Sequence, residues 1–301
     1  MSTTRPTDAR LAVGIVGAGR VGAVLGAALL RAGHDVVAVS AVSEASTRRA
    51  ADLLPGIAIR SPDEVSRAAS LLLLAVPDDA LPDLISGLAA TDALKPGQLV
   101  VHTSGLHGLA VLAPAARLGC LPLALHPVLP FTGTQVDVAR LAGAAFGVTS
   151  PEPLRAVAET LVLEMGGEPV WLPDAMRPLW HAALAHGANH LVTLVASAAD
   201  LLRAAGVEAP GRVLAPLLGA ALDGALRAGD SALTGPVARG DAGTVRAHLD
   251  VLAQAAPEVL PAYVAMARLT ADRALASRRL DPHHAGALLA VLADASGGQS
   301  R

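Results

Sequence analysis

The chain has 301 residues, which is enough for about two domains. Its formal net charge of −3 gives no reason to expect a nucleic-acid partner or binding to an anionic membrane surface. Hydrophobic residues make up 52% of the chain and aromatic residues only 2%, so we expect a core of Ala, Leu and Val. The single cysteine, Cys120, excludes an internal disulfide and favours a cytoplasmic protein.

Two apolar segments do not favour a membrane partner. Residues 11–30 contain Arg20 within a glycine-rich sequence, which is unlike a signal peptide. Residues 182–202 contain two histidines, an asparagine and an aspartate, which would make a membrane-spanning helix costly.

The N-terminal region predicts a βαβ unit around the sequence GAGRVG. An apolar run at residues 11–16 is typical of a buried strand, and an Ala- and Leu-rich helical segment follows. In a dinucleotide fingerprint, Gly17 allows the tight turn, Gly19 lets a pyrophosphate approach and Gly22 lets the helix pack on the sheet. The helix start offers free N–H groups to the phosphates. The predicted binding residues here are Gly17, Gly19, Arg20, Val21 and Gly22.

The end of the second strand favours NADPH over NADH. An NAD site usually has an acidic residue there for the ribose hydroxyl, whereas this chain has Ser40 and no acid before Glu44. Hydroxyl and guanidinium groups suit a 2′-phosphate, and Ser43 and Arg48 are also close in sequence. Arg48 and its neighbour Arg49 could equally be solvated helix charges.

The next residues keep alternating between apolar runs and helical segments. This pattern predicts an α/β fold with a doubly wound parallel Rossmann sheet over residues 11–149, after a disordered tail at 1–10. Ligands bind such sheets at the carboxyl ends of the strands. The residues predicted to lie there are Val76, Pro77, Asp78, Thr103, Ser104 and His126.

These residues have different expected roles. Residues 76–78 and Thr103 would line the cofactor cleft, while Ser104 and His126 would hydrogen-bond a substrate or the nicotinamide ribose. Ser104 could instead cap a helix, and His126 could belong to a simple turn.

Residues 150–295 predict a mainly α-helical second domain, which is followed by a disordered tail at 296–301. Ser150 is expected to cap its first helix. His181 and Asn189 would lie on one side of a later helix. The apolar helices over residues 180–226 suggest a homodimer. Although two histidines lie four residues apart in this segment, no nearby carboxylate or cysteine supports a metal site.

A second polar segment lies further along this domain. Thr234 and Gly235 precede a predicted helix start, which could hold a substrate carboxylate. Arg239 would be either a clamp for that carboxylate or a surface charge.

Six motifs carry a resemblance across nearly the whole chain: GIVGAGRVG, LLLAVPDDAL, VVHTSGLHG, LALHPVLPF, LWHAALAHGANHL and ALTGPVARGD. Together they resemble a family of Rossmann-like proteins with a helical C-terminal domain of formerly unknown function. That family is related to ketopantoate reductase and pyrroline-5-carboxylate reductase, and its second domain resembles the C-terminal domain of 6-phosphogluconate dehydrogenase.

The resemblance implies NADPH-dependent reduction of a small carbonyl acid, with ketopantoate as the best guess. Ketopantoate reductases use a lysine acid on the first long helix of the second domain, but the only lysine here is Lys95, in a turn. The matching helix offers His181 as proton donor and Asn189 to orient the substrate together with Ser104. His126 is a second candidate acid. The substrate carboxylate would contact Thr234, Gly235 and Arg239.

Three other functions remain open. An imine reductase of the pyrroline-5-carboxylate type needs no strong acid, because an iminium substrate is already protonated. His126-Pro127 after a strand suggests a prephenate-dehydrogenase-like enzyme, although such enzymes usually use NAD. A regulator could bind NADP without turnover.

Overall fold

The computed structural model describes residues 10–297, in two compact units that lie within Met1–Ala185 and His186–Arg301. The first unit contains a seven-stranded sheet and is called the sheet unit. The second, as far as residue 297, contains helices and no strands and is called the helical unit. This arrangement confirms the predicted fold class.

The sheet has the strand order β2-β1-β3-β4-β5-β6-β7. Its strands are β1 (Ala12–Val16), β2 (Asp35–Ser40), β3 (Leu71–Leu74), β4 (Leu99–His102), β5 (Leu121–Pro127), β6 (Ala145–Thr149) and β7 (Glu168–Trp171). All neighbouring pairs are parallel except β5 and β6, which are antiparallel. All four leucines of β3 are buried, as expected for a central strand covered by helices on both faces.

Eight helices accompany the sheet within the described part of this unit. They are α1 (Arg20–Arg31), α2 (Glu44–Leu53), α3 (Pro62–Ala68), α4 (Leu81–Ala90), α5 (Ala113–Arg117), α6 (Gln135–Arg140), α7 (Arg155–Glu164) and α8 (Arg177–Leu184). Helix α1 packs closely on the sheet because its residues there are small. A Cβ atom on Gly26 would lie 2.2 Å from the Ile15 side chain.

The segment after β6 belongs to the sheet unit. Strand β7 pairs with β6, and the division between the units falls after Ala185, whereas the sequence placed a domain boundary between residues 149 and 150. The predicted cap at Ser150 is wrong: its buried hydroxyl has no hydrogen-bond partner among the described residues. A 3-10 turn at Glu152–Leu154 precedes α7 instead.

The helical unit begins within a π-helix at Ala185–Asn189. Its α-helices are α9 (His190–Ala204), α10 (Pro210–Ala228), α11 (Pro236–Arg239), α12 (Ala242–Ala255), α13 (Leu260–Ala276) and α14 (Pro282–Gly297). The apolar core of this unit lies mainly between α12, α13 and α14. No residue of α9 is buried, and only Pro210 and Leu214 are buried in α10.

The predicted tails fall largely outside the described residues. Of the tail predicted at 296–301, Ser296 and Gly297 are the last residues of α14, and the remaining residues lie outside the described part of the chain. Over residues 10–297, no helix combines the length and the apolar character needed to cross a bilayer.

Candidate functional site

The three fingerprint glycines have different steric environments. A Cβ on Gly17, which has φ +100°, would lie 2.5 Å from the Ala75 carbonyl oxygen, and one on Gly22 would lie 2.1 Å from the Gly17 carbonyl oxygen. The fold therefore requires both glycines. A Cβ on Gly19 would meet nothing closer than 3.9 Å, so no packing contact within the described residues explains this glycine. It leaves an open approach to the first turn of α1, which has no side-chain cap, and such a site fits a pyrophosphate.

The end of β2 lies against the same loop. The carbonyl of Ser40, which is buried, accepts hydrogen bonds from the N–H groups of Gly17 at 3.3 Å and Ala18 at 2.9 Å. Ser43 is the N-cap residue that precedes α2, and it forms a reciprocal capping box with Ser46. The structure thus brings Ser40 beside the glycine loop and gives the Ser43 hydroxyl a local structural partner.

The arginines near this loop are placed differently from one another. Arg48 is exposed, with its guanidinium 3.5 Å from the carboxylate of Glu44. Arg49 instead donates a hydrogen bond to the Ala18 carbonyl at 3.2 Å. A Cβ on Gly133 would lie 2.5 Å from Arg49 Nε. Arg49 is therefore the better placed of the two to meet a nucleotide in the glycine loop.

A buried carboxylate holds the segment that contacts Arg49. Asp137 Oδ2 accepts hydrogen bonds from the N–H groups of Thr132 and Gly133, both at 2.7 Å. Burial opposes ionisation of Asp137, but these N–H groups outweigh it and lower the pKa of the carboxyl. Asp137 was not predicted from the sequence, where the hydroxyls and glycine of residues 132–134 are its local signal.

His102, the last residue of β4, organises the loop that follows this strand. It is fully buried, its Nδ1 accepts a hydrogen bond from Ser104 N, and its Nε2 donates to the Gly108 carbonyl, both at 3.2 Å. Burial, with help from the nearby Arg177 cation, lowers the pKa of His102 to about 3. His102 is therefore a neutral structural group, which the sequence analysis did not single out.

Ser104 stabilises the same loop through its side chain. Its Oγ accepts hydrogen bonds from the N–H groups of Leu106 at 3.1 Å and His107 at 2.9 Å. His107 Nε2 in turn donates to the Asp78 carbonyl at 3.0 Å. The loops after β3 and β4, which contain the predicted residues Asp78 and Ser104, are thus tied together. Thr103, which directly precedes Ser104, is partly exposed.

Arg177, at the start of α8, is a buried cation behind this loop. It is fully buried, and its guanidinium donates to the Ser104 carbonyl at 2.5 Å and to Thr149 Oγ1 at 3.0 Å. Both of these acceptors are uncharged, and its Nε has no partner among the described residues. Burial lowers the Arg177 pKa to about 10, while Asp174 and Asp78 oppose that shift. The group therefore remains a cation, and sequence reasoning missed it.

His126 and His181 converge beside Gly105. Their ring centroids are 5.9 Å apart, with the planes at 78°. A Cβ on Gly105 would lie 2.9 Å from His126 Nε2 and 2.8 Å from His181 Cδ2, so only glycine fits between the rings. Burial first, then the charge of Arg177, lowers the pKa of His126 to about 4. Trp180 donates a hydrogen bond from Nε1 to His126 Nδ1 at 3.1 Å.

Asn189 and its neighbours lie in the helical unit. Asn189 is exposed at the end of the π-helix. A π-helical turn has a different rotation per residue, so the α-helical spacing that suggested one shared side with His181 does not hold here. His186 and His190 face each other, with their Nδ1 atoms 3.0 Å apart. Within residues 10–297, no group of three or more metal-binding side chains is present.

The predicted carboxylate site is also in the helical unit. Thr234 is exposed and makes no capping hydrogen bond, and Gly235 precedes α11, which has only four residues. Arg239 donates to Asp241 Oδ2 from Nη2 at 2.8 Å and from Nε at 3.1 Å. Its charge is therefore already paired, which favours the surface-charge interpretation of Arg239.

Three solved structures share this fold. A protein of Bacteroides fragilis named as an NADP oxidoreductase is 23% identical, with a TM-score of 0.75 over 87% of this chain and 98% of its own. An imine reductase from Pseudomonas sp. is 21% identical, with a TM-score of 0.62 over 86% and 93%. Pyrroline carboxylate reductase of Plasmodium falciparum, solved with NADP bound, is 10% identical, with a TM-score of 0.54 over 88% and 98%. At these identities the likeness establishes the fold and not the reaction.

Two domain families match the sequence. The Rossmann-like domain matches residues 2–127, and a domain of unknown function, DUF2520, matches residues 144–270. Among curated proteins, none matches this chain. These findings confirm the resemblance that the six motifs indicated. Along the chain, a Rossmann-like domain is followed by a DUF2520 domain.

Proposed function

We propose that this protein is an NADPH-dependent oxidoreductase that reduces the carbonyl group of a small carboxylic acid. The convergence of His126 and His181 beside Gly105, with the buried Arg177 cation behind them, is the observation that supports this proposal most strongly. The fold similarity to proteins named as NADP oxidoreductase and imine reductase agrees with it.

The proposed cofactor site combines the glycine loop and the arginines beside it. The free N–H groups at the start of α1 would bind the pyrophosphate over Gly19. Arg49, with Arg20 and the hydroxyls of Ser40 and Ser43, would hold the 2′-phosphate. No carboxylate follows β2 before Glu44, so nothing there repels that phosphate. Bound NADPH supplies the hydride.

The histidines would act on the substrate oxygen. Reduction adds a hydride to the carbonyl carbon, moves the π-electron pair onto the oxygen and adds a proton there. His126 and His181 could each contact that oxygen, and His181, which is partly exposed, could regain its proton from solvent. The positive charge of Arg177 stabilises an oxygen that gains negative charge and would oppose an iminium cation.

Ketopantoate is the first substrate to test, and an imine acid is the second. One observation favours the imine alternative. Lys95 lies in a turn and donates a hydrogen bond from Nζ to the Arg67 carbonyl, so this lysine does not supply the acid that ketopantoate reductases use. An iminium substrate needs no such acid, although the Arg177 charge argues against this cation.

The test is the loss of NADPH absorbance with ketopantoate and, separately, with pyrroline-5-carboxylate. We expect turnover with ketopantoate and little with the imine. Turnover with the imine alone would contradict the carbonyl-acid proposal and make an imine acid the substrate. Tight NADPH binding without oxidation by either compound would favour the regulator instead.

We also propose a homodimer formed through the helical unit. Large apolar side chains of α9 and α10 are exposed: Leu191, Val192, Leu194, Val213, Leu217, Leu222 and Leu226. Soluble proteins rarely expose so many apolar side chains together without a partner. We expect a dimer by light scattering, and we expect Leu217→Glu combined with Leu226→Glu to give a monomer. A monomeric wild-type protein would contradict the proposal.

A further inference from the structure

We propose that Trp180 is a positioning residue that holds His126 in a single tautomer, with the proton on Nε2, so that His126 serves as a neutral hydrogen-bond donor and not as the acid. The role in turnover rests on the proposed function. The tautomer itself depends only on geometry within the sheet unit.

The hydrogen bond from Trp180 determines the tautomer. An indole Nε1–H can only donate, so His126 Nδ1, at 3.1 Å, must accept and cannot carry a proton. A neutral imidazole with an unprotonated Nδ1 carries its proton on Nε2. That Nε2 has no hydrogen-bond partner among residues 10–297, and it lies beside Gly105, which has no side chain to cover it. The N–H group is therefore available to a ligand.

The surrounding charges keep His126 neutral. Arg177 and His181 face it from α8, His102 faces it from β4, and Asp78 faces it from the segment after β3. Burial and the two neighbours on α8 lower the pKa of His126 to about 4, and Asp78 is the only one of these groups that favours the charged ring. A group with this pKa carries almost no acidic proton near neutral pH.

The two histidines would then have different roles in the reaction. His126 is fixed by Trp180, whereas the ring of His181 makes no hydrogen bond within the described part of the chain. A fixed neutral donor can orient and polarise a carbonyl oxygen, and a partly exposed imidazole without a hydrogen-bond partner can deliver the proton. This division assigns proton delivery to His181.

Nitrogen-15 NMR of the histidine rings in the ligand-free protein tests the tautomer. The signals of His126 are identified by their loss in His126→Gln. We expect a neutral ring with the proton on Nε2 at about pH 6, where an unperturbed histidine would be largely charged. A charged ring, or a proton on Nδ1, would overturn the inference.

Two tryptophan variants separate positioning from general packing. Trp180→Phe keeps an aromatic ring but removes the donor, so we expect a mixture of His126 tautomers and a higher His126 pKa. Trp171→Phe is the matched control: its ring lies in β7 under the Arg155 guanidinium, and we expect no change at His126. An unchanged tautomer in Trp180→Phe would also overturn the inference.

Turnover gives a second readout. Gln can donate a hydrogen bond from the position of Nε2 but cannot release a proton, so we expect His126→Gln to keep a kcat about tenfold above that of His126→Ala. Trp180→Phe should lower kcat about tenfold with an unchanged KM for NADPH. Equal loss in both His126 variants would make His126 the acid. Because the NMR test needs no substrate, failure of the proposed function would leave it intact.

Discussion

The two units of this protein hold their polar side chains in opposite ways. In the sheet unit, His102, Ser104 and Arg177 are buried, and each has several hydrogen bonds to neighbouring loops. In the helical unit, Asn189 is exposed and Arg239 is paired with the adjacent Asp241. Buried groups held by several hydrogen bonds keep one geometry, whereas exposed groups are free to move. The fixed arrangement of polar side chains considered for the reaction therefore lies beside the strand ends of the sheet unit.

The largest effect is expected from Gly105→Ala. The new Cβ would collide with both His126 and His181, at distances of 2.9 and 2.8 Å, so the rings must move apart. We expect kcat to fall by about 100-fold, because positioning errors near 1 Å cost that much, while NADPH affinity stays the same.

Gly243→Ala in α12 is the control from the helical unit. A Cβ there meets nothing within 4 Å. We expect unchanged turnover and a stability gain of about 0.4–1 kcal/mol, because alanine leaves the unfolded chain fewer conformations than glycine does. A similar loss of kcat in both variants would remove the contrast between the units.

A smaller effect is expected from two substitutions in the cofactor loop, Gly19→Ala and Gly22→Ala, which should differ in their effect on Tm. Gly19→Ala has room in the fold but would obstruct a pyrophosphate, so we expect an unchanged Tm and an NADPH Kd raised about tenfold or more, a cost of about 1.4 kcal/mol per tenfold. Gly22→Ala should lower both Tm and affinity, because its Cβ would lie 2.1 Å from the Gly17 carbonyl oxygen. Thermal melting and fluorescence titration measure both quantities. Normal NADPH binding by Gly19→Ala would place the cofactor elsewhere.

The cofactor preference should depend on Arg49 more than on Arg48. Arg49→Ala removes a guanidinium that lies beside the glycine loop, and we expect the KM for NADPH to rise about tenfold with little change for NADH. Arg48→Ala removes an exposed partner of Glu44 and should change neither constant. The opposite pattern would exchange the two roles, and a wild-type preference for NADH would reject the 2′-phosphate site.

The last expected effect is a pH dependence of stability. Burial lowers the folded-state pKa of His102 to about 3 and that of His126 to about 4. Below an unfolded-state pKa of about 6.5 the unfolded chain binds protons that the folded protein excludes, so stability falls as the pH drops from about 7 towards 4. We expect His126→Gln to reduce this loss in urea titrations. An equally steep loss in the variant would mean that His126 contributes nothing to it.

The sequence predicted most of the sheet unit because its signals are local. The apolar runs and the fingerprint glycines each depend on neighbouring residues, and β1 lies within the apolar run at residues 11–16. The doubly wound sheet and the grouping of strand-end residues followed from such signals.

The rest could not be predicted because it depends on contacts distant in sequence. Arg177 lies 73 residues from Ser104, and Trp180 lies 54 residues from His126, so nothing near either partner in the sequence indicates the bond. Strand β7 joined the sheet unit through its pairing with β6, which the change in composition after residue 150 concealed.

Deuterium transfer is the most direct test of the central claim, that the protein uses NADPH to reduce a carbonyl beside His126 and His181. The protein is incubated with ketopantoate and NADPH deuterated at the transferring position of the nicotinamide, and the product is analysed by mass spectrometry. We predict one deuterium on the former carbonyl carbon, with a rate that drops sharply in His181→Ala and Gly105→Ala while NADPH binding is kept. Tight NADPH binding with no deuterium in the product, or full activity in both variants, would contradict the account.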